Sequence, residues 1–167
     1  MDQFLFLLTI FAALCTMLLG GNFFAFSALF LRAVGGLTAE RGIVAMQATV
    51  TAAKTQALLV LFFGTAVVCL VLGALSAFHW NDPFAPYALA GATVFLLGGF
   101  AVTMLKIIPL NKKLLAASPD AASAREHWRE FRVRWARWNH LRTIATLLAC
   151  VCYMLALSQI GFPFELF

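Results

Sequence analysis

Charge is scarce in this chain, and negative charge scarcer still. Asp and Glu number 7 against 12 Lys and Arg, and charged residues make up 11% of the 167 positions. A soluble domain carries about 25%. With 63% hydrophobic residues besides, the chain lacks the polar surface to keep a folded globule in water. Other features disfavour particular chemistries. Cys15, Cys69, Cys150 and Cys152 all fall inside apolar runs, as small buried fillers do. Cys150 and Cys152 lie about 200° apart on a helix and do not converge on one ion. We find no phosphate-binding glycine loop, no His-Glu-x-x-His zinc helix and no nucleophile elbow.

What is present is long apolar sequence. Four stretches, about 4–31, 55–78, 84–108 and 141–160, are long enough to cross ~30 Å of hydrocarbon as helices of roughly 20 residues. Backbone groups in lipid must be satisfied within the segment, which dictates helices. The expectation is an all-α, polytopic membrane four-helix bundle in a single domain, 1–167, in contact with the lipid bilayer. The first segment opens on Asp2 without a basic region and is read as a retained helix and not a secretory leader.

The 12 Lys and Arg fall into two groups. Arg32, Arg41 and Lys54 lie between segments one and two, and the rest run from Lys106 to Arg142. A four-helix topology puts both connections on one face. The positive-inside rule assigns that face to the cytoplasm and both termini to the outside, as in a bacterial inner membrane. Topology thus accounts for the net charge of +5 without a nucleic-acid partner.

Helix two is expected to start near Thr38 and run unbroken over 38–78, and helix three to cover 84–108, limited by Pro109. Ser123 and Glu126 have the spacing of a capping box, so helix four should start near 124. Continued to about 160 it is ~55 Å long at 1.5 Å per residue. Helices two and four are therefore expected to extend on the cytoplasmic side. The outer connection HWNDPFAPY combines a turn signal with headgroup-level aromatics.

The polar constellation lies in RVRWARWNHLRT, 132–143. Trp128, Arg132, Trp135, Asn139 and Arg142 follow spacings of four and three and share one stripe of helix four. Arg129, Arg134 and Arg137 lie elsewhere around the helix and are adequately explained as orienting charges. Trp and Arg at this depth are what an aromatic belt supplies anyway, but Asn139, His140 and Arg142 are costly where a helix meets lipid unless they have partners or face a cavity. Asn22, Ser27, Gln47, Thr51 and Asn111 are the candidate partners. With His79 on one side and His127 and His140 on the other, a bis-histidine haem is disfavoured.

GGNFFAFSALFLRA in helix one, Met46-Gln47, IPLNKKL around Pro109, and above all WARWNHLRT, 135–143, resemble the small four-helix membrane proteins that include the anthrone oxygenases. Relatives often carry asparagine two residues before the proline, where this chain has Ile107. The resemblance implies oxidation of a lipophilic aromatic anthrone by dioxygen as co-substrate, with no metal, flavin or other cofactor. It implies Trp138, His140 and Arg142 as the catalytic group, with Asn139 and Asn111 in support.

In that scheme His140 is the base that removes the acidic methylene proton. Arg142 and Asn139 stabilise the oxygen that gains charge, and Trp135 or Trp138 holds the ring system. Gln47 completes the substrate-binding set with Asn139, Asn111 and Trp135. The rival reading is a non-catalytic membrane protein that binds a lipid, quinone or aromatic anion, or a subunit of a larger assembly. A haem or metal enzyme is a third. A homo-oligomer is left open.

Overall fold

The computed structural model describes residues 2–160. It is all helical, without a strand among the described residues. Four helices are long and apolar enough to cross a membrane, as expected for a polytopic bundle. We label the helices α1 (Gln3–Gly35), α2 (Ala39–Ala52), α3 (Gln56–Phe78), α4 (Ala85–Leu115) and α5 (Ala124–Ile160). Large apolar side chains such as Leu18, Val60, Val67, Leu97 and Ile144 cover the outside of the spanning helices. In water they would form one continuous exposed patch, whereas lipid is their natural solvent.

Two expected boundaries are corrected. The single helix over 38–78 is two helices, α2 and α3. The ladder ends at Ala53 and Lys54, Thr55 is extended with ψ of 145°, and its hydroxyl accepts from the Leu58 amide to start α3. A threonine cap does this without glycine or proline, so the break left no strong mark in TAAKT. Nor does Pro109 end the third helix at 108, because α4 continues to Leu115. The backbone is π-helical over Thr103–Ile107 and resumes as an α-helix with Pro109 in its first turn, where a missing amide costs least. Further π stretches occupy Phe95–Ala101 in α4 and Phe26–Phe30 in α1.

Close helix approach sets the bundle. A Cβ on Gly98 would lie 2.3 Å from the Ala145 Cβ, so α4 and α5 meet where neither has a larger side chain. Gly64, by contrast, has nothing within 4 Å of such a Cβ. At the basic end, α5 outruns the membrane span and is docked. Trp128 packs its indole against Gly42 of α2, and Arg132 donates to the Gly35 carbonyl at 3.3 Å. Gln47 of α2 donates to the Leu114 and Ala117 carbonyls at 2.9 and 3.0 Å, satisfying backbone acceptors at the end of α4.

Two apolar cores result. One, in the spanning half, includes Leu19, Phe23, Phe62, Phe95 and Tyr153. The other, at the basic end, gathers Ile43, Met46, Ile107, Trp128, Phe131 and Trp135. Between them lies a buried polar layer of Ser27, Thr103, Asn139, Arg142 and Thr143.

Candidate functional site

Asn139 is the centre of the polar layer and is fully buried. Its Nδ2 donates to the Phe23 carbonyl at 2.8 Å and to the Ser27 hydroxyl. Both acceptors belong to α1 beside its π stretch. Such a stretch disturbs the regular i to i+4 ladder and frees carbonyls for other donors. The Oδ1 accepts from Arg142 Nε at 2.8 Å. Every hydrogen-bonding group of the Asn139 amide is thereby engaged.

Arg142 is 7% exposed. Besides Asn139 it donates from one terminal nitrogen to Thr103 Oγ1 at 3.3 Å, and Thr103 passes its own proton to the Gly99 carbonyl at 2.8 Å. The guanidinium lies 3.9 Å from the Phe23 ring centroid and 5.8 Å from that of Trp135, so aromatic faces compensate part of its charge. No carboxylate pairs with it among the described residues, where the ion pairs are Arg129 with Glu126 and Arg134 with Glu130. A guanidinium carries five N–H groups. Two are used here, and Arg142 lines a cavity.

That cavity, of about 460 Å³, lies at the junction of the two cores. Leu19, Val50, Met46 and Ile107 with the rings of Phe23, Phe26 and Phe62 supply an apolar, mostly aliphatic wall. Asn22, Thr103, Asn111 and Arg142 supply polar points, and Lys54 and Lys112 stand on its lining as exposed residues. Among the described residues no Asp or Glu lines it. The size and the mostly apolar lining with few polar groups are those of a small-molecule site, which run to about 300–1,000 Å³.

The residues singled out in the sequence separate in space. Asn139, Arg142, Trp135 and Asn111 come together, with Trp135 Nε1 donating to Asn111 Oδ1 at 3.1 Å. Gln47 is engaged at the α4 terminus and Thr51 donates to the Gln47 carbonyl, so neither reaches the cavity. Trp138 is half-buried on the flank, with Lys106 Nζ 5.2 Å from its ring centroid. His140 is exposed, one residue and about 100° around the helix from the buried Asn139, and does not line the cavity. Ser123, expected to cap α5, has its hydroxyl 3.3 Å from His127 Nδ1. Sequence reasoning missed Thr103, the apolar wall and the cationic rim. Among the described residues no group of three or more His, Cys, Asp or Glu could hold a metal ion.

Residues 57–152, more than half of the chain, match the family model described as anthrone oxygenase. The chain belongs to the anthrone oxygenase family. No curated protein and no solved structure matches it. The part matched to the anthrone oxygenase family contains Thr103, Asn111, Trp135, Asn139 and Arg142. The portions of the site that α1, α2 and the α2–α3 break contribute, Phe23, Ser27, Met46 and Lys54, precede it.

Proposed function

We propose that this protein binds a lipophilic aromatic ketone of the anthrone class as its anion and oxidises it with dioxygen, with Arg142 holding the anionic oxygen. One observation carries the reading. A guanidinium is buried in a membrane bundle, without a carboxylate partner among the described residues, against an apolar cavity of about 460 Å³ that includes the Phe23, Phe26 and Phe62 rings. An ionised residue at such a depth is costly and marks a functional site by default. The cheapest counter-charge is one that the ligand brings.

The chemistry follows from the ligand class. An anthrone that loses a methylene proton becomes a phenolate-like anion whose charge rests largely on the ring oxygen. A guanidinium beside that oxygen stabilises the anion and raises the acidity of the bound ligand. The methylene proton passes to hydroxide from solvent, giving water. The carbanion carbon bonds to dioxygen, and the peroxide anion so formed loses its remaining C–H proton as the O–O bond breaks and hydroxide departs. The net change is CH2 plus O2 giving C=O plus H2O. Electrons pass from the ligand's C–H bonds to dioxygen. The exposure of His140 speaks against a base inside the cavity, and this reading needs none there. We place the basic end in the cytoplasm on charge asymmetry alone.

Oxygen uptake by the purified protein in detergent with 1,8-dihydroxyanthrone tests the proposal. The native protein should consume one dioxygen per anthrone. Arg142→Gln, which keeps donors but no charge, should lose about 100-fold or more in rate, the usual cost of removing an oxyanion donor. An undiminished rate in that variant overturns the role of Arg142. Binding without oxygen uptake in the native protein would favour a carrier of aromatic anions.

A further inference from the structure

Lys54 and Lys112 come from separate elements, the α2–α3 break and the end of α4, yet both line the same cavity. The positive-inside rule explains lysines at this end of the bundle but not their convergence on one opening. Other lysines nearby do not converge there: Lys106 covers the Trp138 ring, and Lys113 lines a different pocket beside His127. Glu126 and Glu130 are engaged by Arg129 and Arg134, and among the described residues neither Lys54 nor Lys112 has an ion pair.

Asn111, the neighbour of Lys112 in α4, adds a neutral donor to the same lining. Its Oδ1 is occupied by Trp135 Nε1, which fixes the amide, and its Nδ2 has no partner among the described residues. The cavity therefore has cationic character at two places. Thr103, bonded to Arg142, and Lys112 are nine residues apart on α4, roughly 13 Å at a 1.5 Å rise per residue.

Resting on the reading that Arg142 receives an aromatic anion, we propose that the ligand carries a second acidic group, a carboxylate on the ring edge remote from Arg142, which Lys54, Lys112 and the Asn111 amide hold at the cavity mouth. A flat fused-ring system with an end-ring carboxylate spans part of the separation, and the flexible lysine side chains reach the rest. Flexible ammonium groups at an exposed rim suit a carboxylate that stays partly hydrated, whereas the desolvated guanidinium suits a diffuse ring oxyanion. These residues determine which members of the anthrone class bind. They take no part in the oxidation.

Two fluorescent probes with the same rings, anthracene-2-carboxylate and anthracene-2-methanol, separate this proposal from the one beneath it. Titrated into the purified full-length protein in detergent, the acid should bind at least tenfold tighter than the alcohol. In Lys54→Ala/Lys112→Ala that preference should fall below threefold with the alcohol's affinity unchanged. Lys106→Ala/Lys113→Ala, which removes the same net charge away from the cavity, should keep it. A preference that survives loss of Lys54 and Lys112, or vanishes equally in the control, overturns the proposal. A preference dependent on Lys54 and Lys112 in a protein that consumes no oxygen supports the rim site and overturns the oxygenase reading. Failure of both probes to bind the native protein overturns the rim proposal, and oxygen uptake with the anthrone still decides the reading beneath it.

Discussion

Arg142 donates from Nε to Asn139 Oδ1 at 2.8 Å, and through that bond the position of α1 is transmitted to the buried charge on α5. Asn139 can hold the guanidinium because its own amide protons are fixed on the Phe23 carbonyl and Ser27 hydroxyl. An arginine on a lone helix face would have several rotamers. This one is held by Asn139, Thr103 and the Phe23 ring. A site built this way is organised before the ligand arrives, and electrostatic stabilisation of an anion requires that.

Asn139→Ala should therefore cost stability as well as binding. It leaves the Phe23 carbonyl and Arg142 Nε without partners in a buried layer, a loss of about 1–3 kcal/mol for each unsatisfied group. Thermal unfolding followed by tryptophan fluorescence should show a clearly lower midpoint. Asn139→Asp separates charge from packing, because its carboxylate supplies the missing counter-ion. Affinity for an anionic ligand should fall tenfold or more while that for a neutral analogue changes little. Equal affinity for the anion in Asn139→Asp and native protein would show that the charge of Arg142 recruits nothing.

Trp135→Phe keeps an aromatic ring against Phe26 and Phe131 but deletes the Nε1 donor to Asn111. A neutral hydrogen bond contributes about 0.5–1.5 kcal/mol. Loss of the amide's fixed orientation should weaken ligand binding by roughly two- to tenfold, with the turnover of bound ligand preserved. A variant whose KM is native and whose kcat falls would place Trp135 closer to the reaction than its contacts suggest.

The sequence carried the bundle because apolar run lengths and the segregation of basic residues are both counted directly along the chain. It also carried the Asn139 and Arg142 stripe, since polar groups at lipid depth need a partner. Thr103 stayed hidden because a threonine in an apolar helix ordinarily returns its hydroxyl to the preceding turn, and it does so here while also accepting from Arg142. Phe23 stayed hidden because its contribution is a backbone carbonyl beside a π stretch, and FSALF has no pattern that announces one. The α2–α3 break rests on one threonine hydroxyl. His140 shows the opposite problem: its neighbours in sequence suggested a catalytic group, while a rotation of about 100° per residue set it on another face.

His140→Ala consequently discriminates between the base suggested by the family resemblance and proton loss to solvent with Arg142 stabilising the anion. With His140 exposed and outside the cavity lining, the substitution should leave oxygen uptake within about twofold of native. A general base contributes about 10²–10⁴-fold, so the two expectations are far apart. A rate reduced a hundredfold in a folded His140→Ala protein would restore the histidine as base and require the substrate to reach the outer face of α5.

The geometry around Arg142 also depends on how closely α4 approaches α5, and Gly98 fixes that distance. Gly98→Ala places a methyl group 2.3 Å from the Ala145 Cβ. Neither methyl can rotate away, so the helices must separate, at a cost of about 1–3 kcal/mol typical of overpacking. The separation falls within the π stretch Phe95–Ala101, only a few residues before Thr103, and should lengthen the Thr103 to Arg142 contact. Both thermal stability and oxygen uptake should therefore drop in the single variant. Ala145→Gly removes the opposing methyl, and the double variant Gly98→Ala/Ala145→Gly should recover most of both losses. Their energies should couple because the two groups collide directly. Additive losses in the double variant would mean that α4 relaxes elsewhere, and that helix spacing at Gly98 does not set the position of Thr103.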